Sequence, residues 1–379
     1  MRHCELVIQK IAYGGYGLGF LDRMAVFVPH AFPGDRIRAA ITVEKKSHAF
    51  GEIALIIEPS NMRIQPECPN YTRCGGCDYL AVSYENELEL KRNILAESIE
   101  RIGAFPKDSF PGITTISGHR FHYRSHATVK YDGGETGFYA RGTSSLVAFP
   151  PGGCLLVSEK IAAGLREKAP GGAGEFRIAE DAQGRVLRST EANRIVEENV
   201  AGIVYRRDIA SFFQSNRFLR ERMLLTVGEF AGLEKNDRFI DIGCGVGFFT
   251  LHLARRGNPG TGVDRDLIAI TSAVENARAN NISSAAFLTA DASSFQARGR
   301  SVDAVILDPP RAGISAAARG AISRLCPRRI VYVSCNPTTF ARDIRHFAAN
   351  GYPLKKILFI DMFPGTMHIE AIGLLERAI

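Results

Sequence analysis

The chain has 379 residues, 45% of them hydrophobic and 23% charged, a balance that excludes an intrinsically disordered protein and leaves room for roughly two or three domains. Its 47 Lys and Arg against 40 Asp and Glu leave a formal charge of +7, a moderate pull toward an anionic partner such as nucleic acid. No apolar run reaches membrane-spanning length and the first residues carry no apolar signal region, so the expectation is a cytoplasmic monomer that needs no membrane. Its eight cysteines are then reduced, and serve metal binding or catalysis rather than disulfides.

Residues 1–57 read as short strands over 4–11, 25–29, 36–43 and 51–57, with Tyr13-Gly14-Gly15-Tyr16-Gly17 as a turn. Such a run suits a small OB-like barrel, a shape that either holds single-stranded nucleic acid or is purely structural. Tyr13 and Tyr16 either stack on bases or simply turn the hairpin.

Composition shifts at the run Cys68-Pro69-Asn70-Tyr71-Thr72-Arg73-Cys74-Gly75-Gly76-Cys77. Helical spacing of Leu88, Leu90, Ile94, Leu95 and Ile99 then predicts a helix over 83–102. Residues 121–157 alternate like strands, with Arg120, His122, Arg124, His126 and Lys130 interleaved among Phe121, Tyr123 and Tyr131, as on a sheet face turned to RNA or to solvent. The stretch 164–195, rich in Gly, Ala, Glu and Arg, reads as irregular surface.

From Arg238 strands and helices alternate. Strands are predicted over 239–241, 260–263, 286–288, 302–307, 329–333, 354–360 and 369–374, and helices from Phe248, over 267–280, from Ser315 and over 338–349. The whole is a multidomain chain whose carboxyl-terminal part is a doubly wound α/β domain. In such sheets, ligands bind at the carboxyl ends of the strands.

Four motifs fall on that rim. Asp241-Ile242-Gly243-Cys244-Gly245-Val246-Gly247-Phe248 follows a strand and opens a helix, so a cofactor can approach the backbone closely. Asp264 ends the next strand, where a carboxylate can take both hydroxyls of a ribose. The leading Asp241 would repel a pyrophosphate but pair with an ammonium, which favours S-adenosylmethionine over a nicotinamide cofactor. Asp308-Pro309-Pro310-Arg311 ends another strand and carries Arg311 where enzymes acting on exocyclic amines place an aromatic ring, so a carbon or ring target is favoured. Finally Cys335, in Ser334-Cys335-Asn336-Pro337, stands where a buried strand meets a helix; by position it is either a nucleophile or a packing residue.

Cys68, Cys74 and Cys77 form a C-x5-C-x2-C array and Cys154 lies far downstream, together a soft donor set for an iron–sulfur cluster or for zinc. The single x2 spacing suits a cluster better than a pair of zinc knuckles. Cys4, Cys244 and Cys326 read as packing residues.

These motifs, with Ser211-Phe212-Phe213-Gln214-Ser215-Asn216 and Phe363-Pro364-Gly365-Thr366-Met367-His368-Ile369-Glu370, resemble the RNA uridine-5-methyltransferase family over nearly the whole chain. The resemblance implies an RNA-binding TRAM barrel over 1–57, a central α+β domain over 58–210 and a class I S-adenosylmethionine-dependent methyltransferase domain over 211–379. It implies that Cys335 adds to carbon 6 of uracil and that Glu370 removes the proton from carbon 5. Gln214 would hold the methionine part of the methyl donor, Gly243 the loop backbone, Asp264 the ribose, Asp291 the adenine side, and Asp308 the reacting centre. Cys68, Cys74, Cys77 and Cys154 would hold a 4Fe-4S cluster. The expected substrate is 23S rRNA, with tRNA as the alternative. A 5-methylcytosine enzyme would need a second cysteine near Asp308, and a non-catalytic RNA-binding or iron–sulfur protein would need neither Cys335 nor Glu370.

Overall fold

The computed structural model describes residues 2–107, 109–166, 171–291 and 301–378. Six strands open the chain: β1 (His3–Val7), β2 (Lys10–Ala12), β3 (Tyr16–Leu21), β4 (Met24–Pro29), β5 (Arg36–Glu44) and β6 (His48–Glu58). They pair in the order β1-β5-β6-β4-β3-β2. The sheet curls until β1 meets β3: a Cβ on Gly19 would stand 3.0 Å from the Val7 carbonyl oxygen, an approach only glycine allows comfortably. Leu6, Ile8, Val26, Val28, Ile37 and Ala39 fill the inside. The single strand expected over 4–11 is two, because the chain changes partner between Ile8 and Gln9: the Ile8 N–H donates to the Asp35 carbonyl just before β5, and the Gln9 N–H to the Leu18 carbonyl of β3, both at 2.9 Å.

Helix α1 (Tyr84–Arg101) starts where expected, since Ser83 Oγ accepts from the Asn86 N–H at 3.2 Å and caps it. After β7 (Ile113–Ile116) come β8 (His126–Asp132), β9 (Glu135–Tyr139), β10 (Leu146–Ala148), α2 (Glu159–Gly164), β11 (Ala173–Glu180) and β12 (Val186–Arg188). These five strands from β8 on make an antiparallel sheet, β10-β9-β8-β11-β12.

Two sequence expectations are corrected here. The stretch 164–195 is not irregular: it carries β11, β12 and the first residue of β13 (Ile195–Val200), with Phe176 and Ile178 buried between exposed Glu175 and Arg177. Glycine and charge had masked that short alternation. Nor do residues 120–125 offer an RNA-facing sheet. Tyr123 is fully buried, and Arg120 Nη2 donates to the carbonyls of Tyr79 and Val82 at 3.0 and 2.7 Å.

The hairpin of β13 with β14 (Ile203–Asp208) leads to α3 (Arg220–Ala231), and then the alternation begins: β15 (Phe239–Ile242), α4 (Phe248–Ala254), β16 (Gly260–Asp264), α5 (Leu267–Ala279), β17 (Ala285–Thr289), β18 (Ala304–Leu307), α6 (Ala316–Arg324), β19 (Arg329–Ser334), α7 (Pro337–Ala349), β20 (Leu354–Ile360) and β21 (Glu370–Glu376). The eight-stranded sheet runs β17-β16-β15-β18-β19-β21-β20-β7. Its first five strands are parallel, and β21 lies antiparallel between β19 and β20.

Neighbouring residues feed opposite faces of this sheet. Val305, Leu307, Ile330 and Tyr332 join one core, and Ile306, Val331 and Val333 the other. The first core includes Leu90, Ile94, Leu95 and Ile99 of α1, so the middle of the chain packs directly on the carboxyl-terminal sheet. Among the described residues no helix is long and apolar enough to cross a membrane.

Candidate active site

The parallel strands deliver their carboxyl ends to one rim. Gly243 follows β15 with φ +85°, and a Cβ there would lie 2.4 Å from the Asp308 carbonyl oxygen, so the loop can pass only as glycine. Asp264 ends β16 and accepts from the Gly245 and Asp266 N–H groups, both at 2.9 Å, which ties this carboxylate to the glycine loop. Asp291 lies just beyond β17 at the same rim and is exposed. Asp241 is fully buried; its Oδ2 accepts from Thr250 Oγ1 at 2.6 Å, its Oδ1 has no partner among the described residues, and burial pushes the carboxyl up to about 7.

Asp308 follows β18. Burial, reinforced by Asp241 and Asp264, pushes it up to about 8. Its Oδ2 accepts from Gln214 Nε2 at 3.5 Å. Gln214 is itself buried, held because Ser125 N–H donates to the Ser215 carbonyl at 2.8 Å and because Phe213 wedges against the Tyr205 and Phe248 rings. Phe248 is therefore a packing residue of the loop. Phe212 beside it is 67% exposed.

Strand register brings Cys335 and Glu370 together although 34 residues separate them in sequence. In the β19–β21 ladder Ser334 opposes Ala371, so one step further along each strand Cys335 faces Glu370. Glu370 is buried. Burial raises it well above the usual carboxyl range, Asp308 adds to this, and Arg311 opposes it. Cys335 is partly buried, and burial with Glu370 and Asp308 pushes its thiol up to about 11, again against Arg311.

Arg311 is held where it can act. Asn336 Nδ2 and Thr339 Oγ1 donate to its carbonyl at 2.9 and 3.2 Å, and its guanidinium donates to His368 Nδ1 at 2.9 Å. Burial, then Arg311 itself, pushes His368 down to about 3, so that ring is neutral and able to accept. Asn336 also caps α7, its Oδ1 accepting from the Thr338 N–H at 3.0 Å.

The structure thus gathers Gln214, Gly243, Asp264, Asp308, Cys335 and Glu370 at one rim. It adds two residues that were not picked out as site residues. Arg311 was noticed only for the aromatic ring it replaces, and its pairing with His368 lies 57 residues away in sequence. Tyr13 arrives from the β2–β3 turn: burial raises its phenol, with Arg311 opposing and Cys335 and Glu370 contributing, and no local pattern connects that turn with the rim.

Cys68, Cys74, Cys77 and Cys154 line one cavity, with Arg124, Phe138, Phe149 and Leu156 among its walls. Burial holds the thiols of Cys74, Cys77 and Cys154 above the usual range. Among the described residues no group of three or more His, Cys, Asp or Glu side chains is arranged to hold a metal ion. Of the three cysteines expected to pack, Cys244 is buried and Cys4 lies against the barrel core, but Cys326 is exposed, because it sits just past the end of α6 with φ +49°.

A family model for tRNA (Uracil-5-)-methyltransferase matches residues 185–378. An uncharacterized RNA methyltransferase of Aquifex aeolicus is 33% identical, with 98% of each chain covered. The 23S rRNA (uracil(1939)-C(5))-methyltransferase RlmD of Aeromonas salmonicida is 29% identical over 99% of this chain and 97% of its own. Among solved structures, the Pyrococcus abyssi tRNA (uracil-54, C5)-methyltransferase in complex with S-adenosyl-L-homocysteine superposes with a TM-score of 0.76 at 23% identity, covering 98% of this chain and 100% of its own.

Proposed function

Because the chain belongs to the tRNA (uracil-5-)-methyltransferase family, we propose that it transfers a methyl group from S-adenosylmethionine to carbon 5 of a uridine in RNA, with Cys335 as nucleophile and Glu370 as base. The observation that carries this reading is the register that faces Cys335 with Glu370 beside Asp308.

Carbon 5 of uracil is a poor nucleophile until the ring is activated. The Cys335 thiolate donates its electron pair to carbon 6, a C–S bond forms, and the ring electrons move onto carbon 5 and the O4 carbonyl. Arg311 supplies the positive charge that favours the thiolate against its two carboxylate neighbours. The bound donor supplies an electrophilic methyl: carbon 5 bonds to it as the sulfur–methyl bond breaks and leaves its electrons on sulfur. The Glu370 carboxylate then takes the proton from carbon 5. The C–H electrons re-form the double bond between carbons 5 and 6 and expel the Cys335 thiolate. Arg311 opposes the rise that burial and Asp308 impose on Glu370 and so favours the ionised form this step requires.

The chain's own groups match the donor. The loop of Gly243, the Asp264 carboxylate and the Gln214 amide would hold its ribose and methionine parts, with Asp291 on the adenine side and Asp308 facing the reacting centre. Asp241 Oδ1, buried without a partner among the described residues, is a ready acceptor for its ammonium. Residues 1–57 and 58–210 would bind and orient RNA around the domain 211–379.

Cys68, Cys74, Cys77 and Cys154 would hold a 4Fe-4S cluster. The observation that supports this is their shared cavity, which brings four soft sulfur donors from two distant stretches of chain to one place. Buried neutral thiols would exchange their protons for metal, and Arg124 would offset the negative charge. Such a cluster would supply no step of the methyl transfer; it would tie residues 68–77 to Cys154.

The RlmD relatives favour 23S rRNA as substrate, and the Pyrococcus abyssi tRNA enzyme supports tRNA as a second reading. Mass mapping of 5-methyluridine in RNA from cells lacking the protein tests both. Loss of one site in 23S rRNA is expected, loss in tRNA selects the second reading, and unchanged 5-methyluridine in both contradicts the proposal.

A further inference from the structure

Glu370 opens β21, but the segment before it, 361–368, is fastened to residues far away in the chain. Lys91 of α1 donates to Asp361 Oδ1 at 2.9 Å and to the Phe363 carbonyl at 3.1 Å. Tyr123 Oη donates to the Pro364 carbonyl at 3.0 Å, and the Gly365 N–H donates to Glu87 Oε1 at 2.6 Å. The last backbone group of the segment tied to a distant residue is held by Asp78, the residue after Cys77. Its N–H donates to the Gly365 carbonyl at 2.7 Å, and its Oδ2 accepts from the Met367 N–H at 2.7 Å, three residues ahead of Glu370. Asp78 is 4% exposed, so this carboxylate has no water shell to fall back on.

Its other oxygen is ion-paired with Arg141, whose guanidinium lies over the Tyr16 ring at 5.3 Å from the centroid. The Asp78 side chain also lies close against the Gly15 turn of the barrel, where a Cβ on Gly15 would stand 3.0 Å from its carboxyl. A single carboxylate thus joins the barrel turn, the thiol loop and the strand that carries the base.

We infer that Asp78 is a positioning residue for Glu370, fixing the 365–370 segment so that the carboxylate meets the carbon 5 proton. This rests on the reading of Glu370 as the base. Asp78 touches none of the reacting atoms in that reading, so its loss should affect the step Glu370 performs and leave Cys335 addition and methyl transfer largely intact. A residue that merely supported folding would lower every step together.

The test compares wild type, Asp78→Ala, Asp78→Asn and Glu370→Gln as full-length protein on the RNA that wild type methylates. Readouts are the single-turnover rate of labelled methyl incorporation, the fraction of methylated RNA in a denaturant-resistant complex with protein, S-adenosylhomocysteine binding and melting temperature. For Asp78→Ala we expect methyl incorporation within about threefold of wild type, unchanged cofactor binding, and about tenfold more methylated RNA held as adduct. Asp78→Asn keeps an acceptor for the Met367 N–H but loses the ion pair, so its adduct level should fall between wild type and Asp78→Ala. It carries the test if the alanine variant does not fold. If Glu370→Gln accumulates adduct and neither Asp78 variant does, the inference is overturned and the base stands. A proportional fall of methyl incorporation and release in the Asp78 variants also overturns it. Normal turnover by Glu370→Gln overturns both together.

Discussion

At the scale of single residues, the site sets a proton problem before any carbon–carbon bond forms. Cys335 must attack as thiolate, yet burial and two carboxylates push its thiol up to about 11, and Glu370 must be ionised although burial raises it too. Both required forms are the deprotonated ones, so the sign is unambiguous: activity rises with pH. Single-turnover kcat/KM should climb by about one decade per pH unit between about pH 6 and 8.5, as the thiolate fraction grows below the thiol's pKa. Arg311→Met removes the cation that, among the described residues, opposes those carboxylates, and should shift the curve to higher pH; a flat profile in wild type would contradict the assignment. Cys335 was legible in sequence because a β-branched strand ending in Ser-Cys-Asn-Pro places a thiol on a strand-to-helix turn. Its environment was not, because the groups that set its pKa come from β18, β21 and the loop after Asp308, and sequence order does not give their register.

At the scale of elements, the glycine loop and the β21 insertion do the positioning. Gly243 has a positive φ and no room for a methyl against the Asp308 carbonyl, so Gly243→Ala must move one loop or the other. We expect a loss of about 1–3 kcal/mol in stability, with S-adenosylhomocysteine binding weakened because the Asp264–Gly245 hydrogen bond lies in the same loop. Denaturant unfolding and calorimetric titration check both parts, and an unperturbed variant would show that the loop yields freely. The βα alternation after Arg238 was readable because strands buried on both faces give unbroken apolar runs and Ser315 and Asn336 announce their helices. The segment 164–195 was not, because a short strand in a Gly- and charge-rich stretch gains its burial from β8, whose paired residues lie 41 to 53 positions upstream and whose pairing no local pattern signals.

At the scale of the whole molecule, the middle of the chain is built into the transferase sheet rather than appended to it. β7 extends that sheet, and α1 lends it a core face and a fully buried Lys91, which pairs with Glu87 at 2.8 Å and Asp361 at 2.9 Å. Lys91→Met would leave two buried carboxylates short of their cation, and we expect about 3–5 kcal/mol of destabilisation by denaturant titration. A much smaller loss would mean that the two halves hold together by apolar packing alone. The thiol cavity belongs to the same scale. Anaerobically purified protein should carry about four iron and four sulfide per chain with broad visible absorption, and Cys154→Ser should lower both; stoichiometric zinc without iron would overturn the cluster. Sequence spacing singled out the four cysteines that the fold brings to one cavity. That residues 74–77 lead through Asp78 into the strand of the base was invisible there, because Met367 lies 289 residues from Asp78.

The claim on which the rest depends is that one of the eight cysteines forms a bond to the base. RNA carrying 5-fluorouridine has no proton at carbon 5 for Glu370 to remove, so the reaction should halt after methyl transfer with the base attached. Incubation with S-adenosylmethionine, digestion and mass spectrometry should find a methylated fluorouridine on the peptide containing Cys335, and none in Cys335→Ala, which should still bind S-adenosylhomocysteine. Methylation of ordinary RNA by Cys335→Ala, or an adduct on a different residue, would contradict the account.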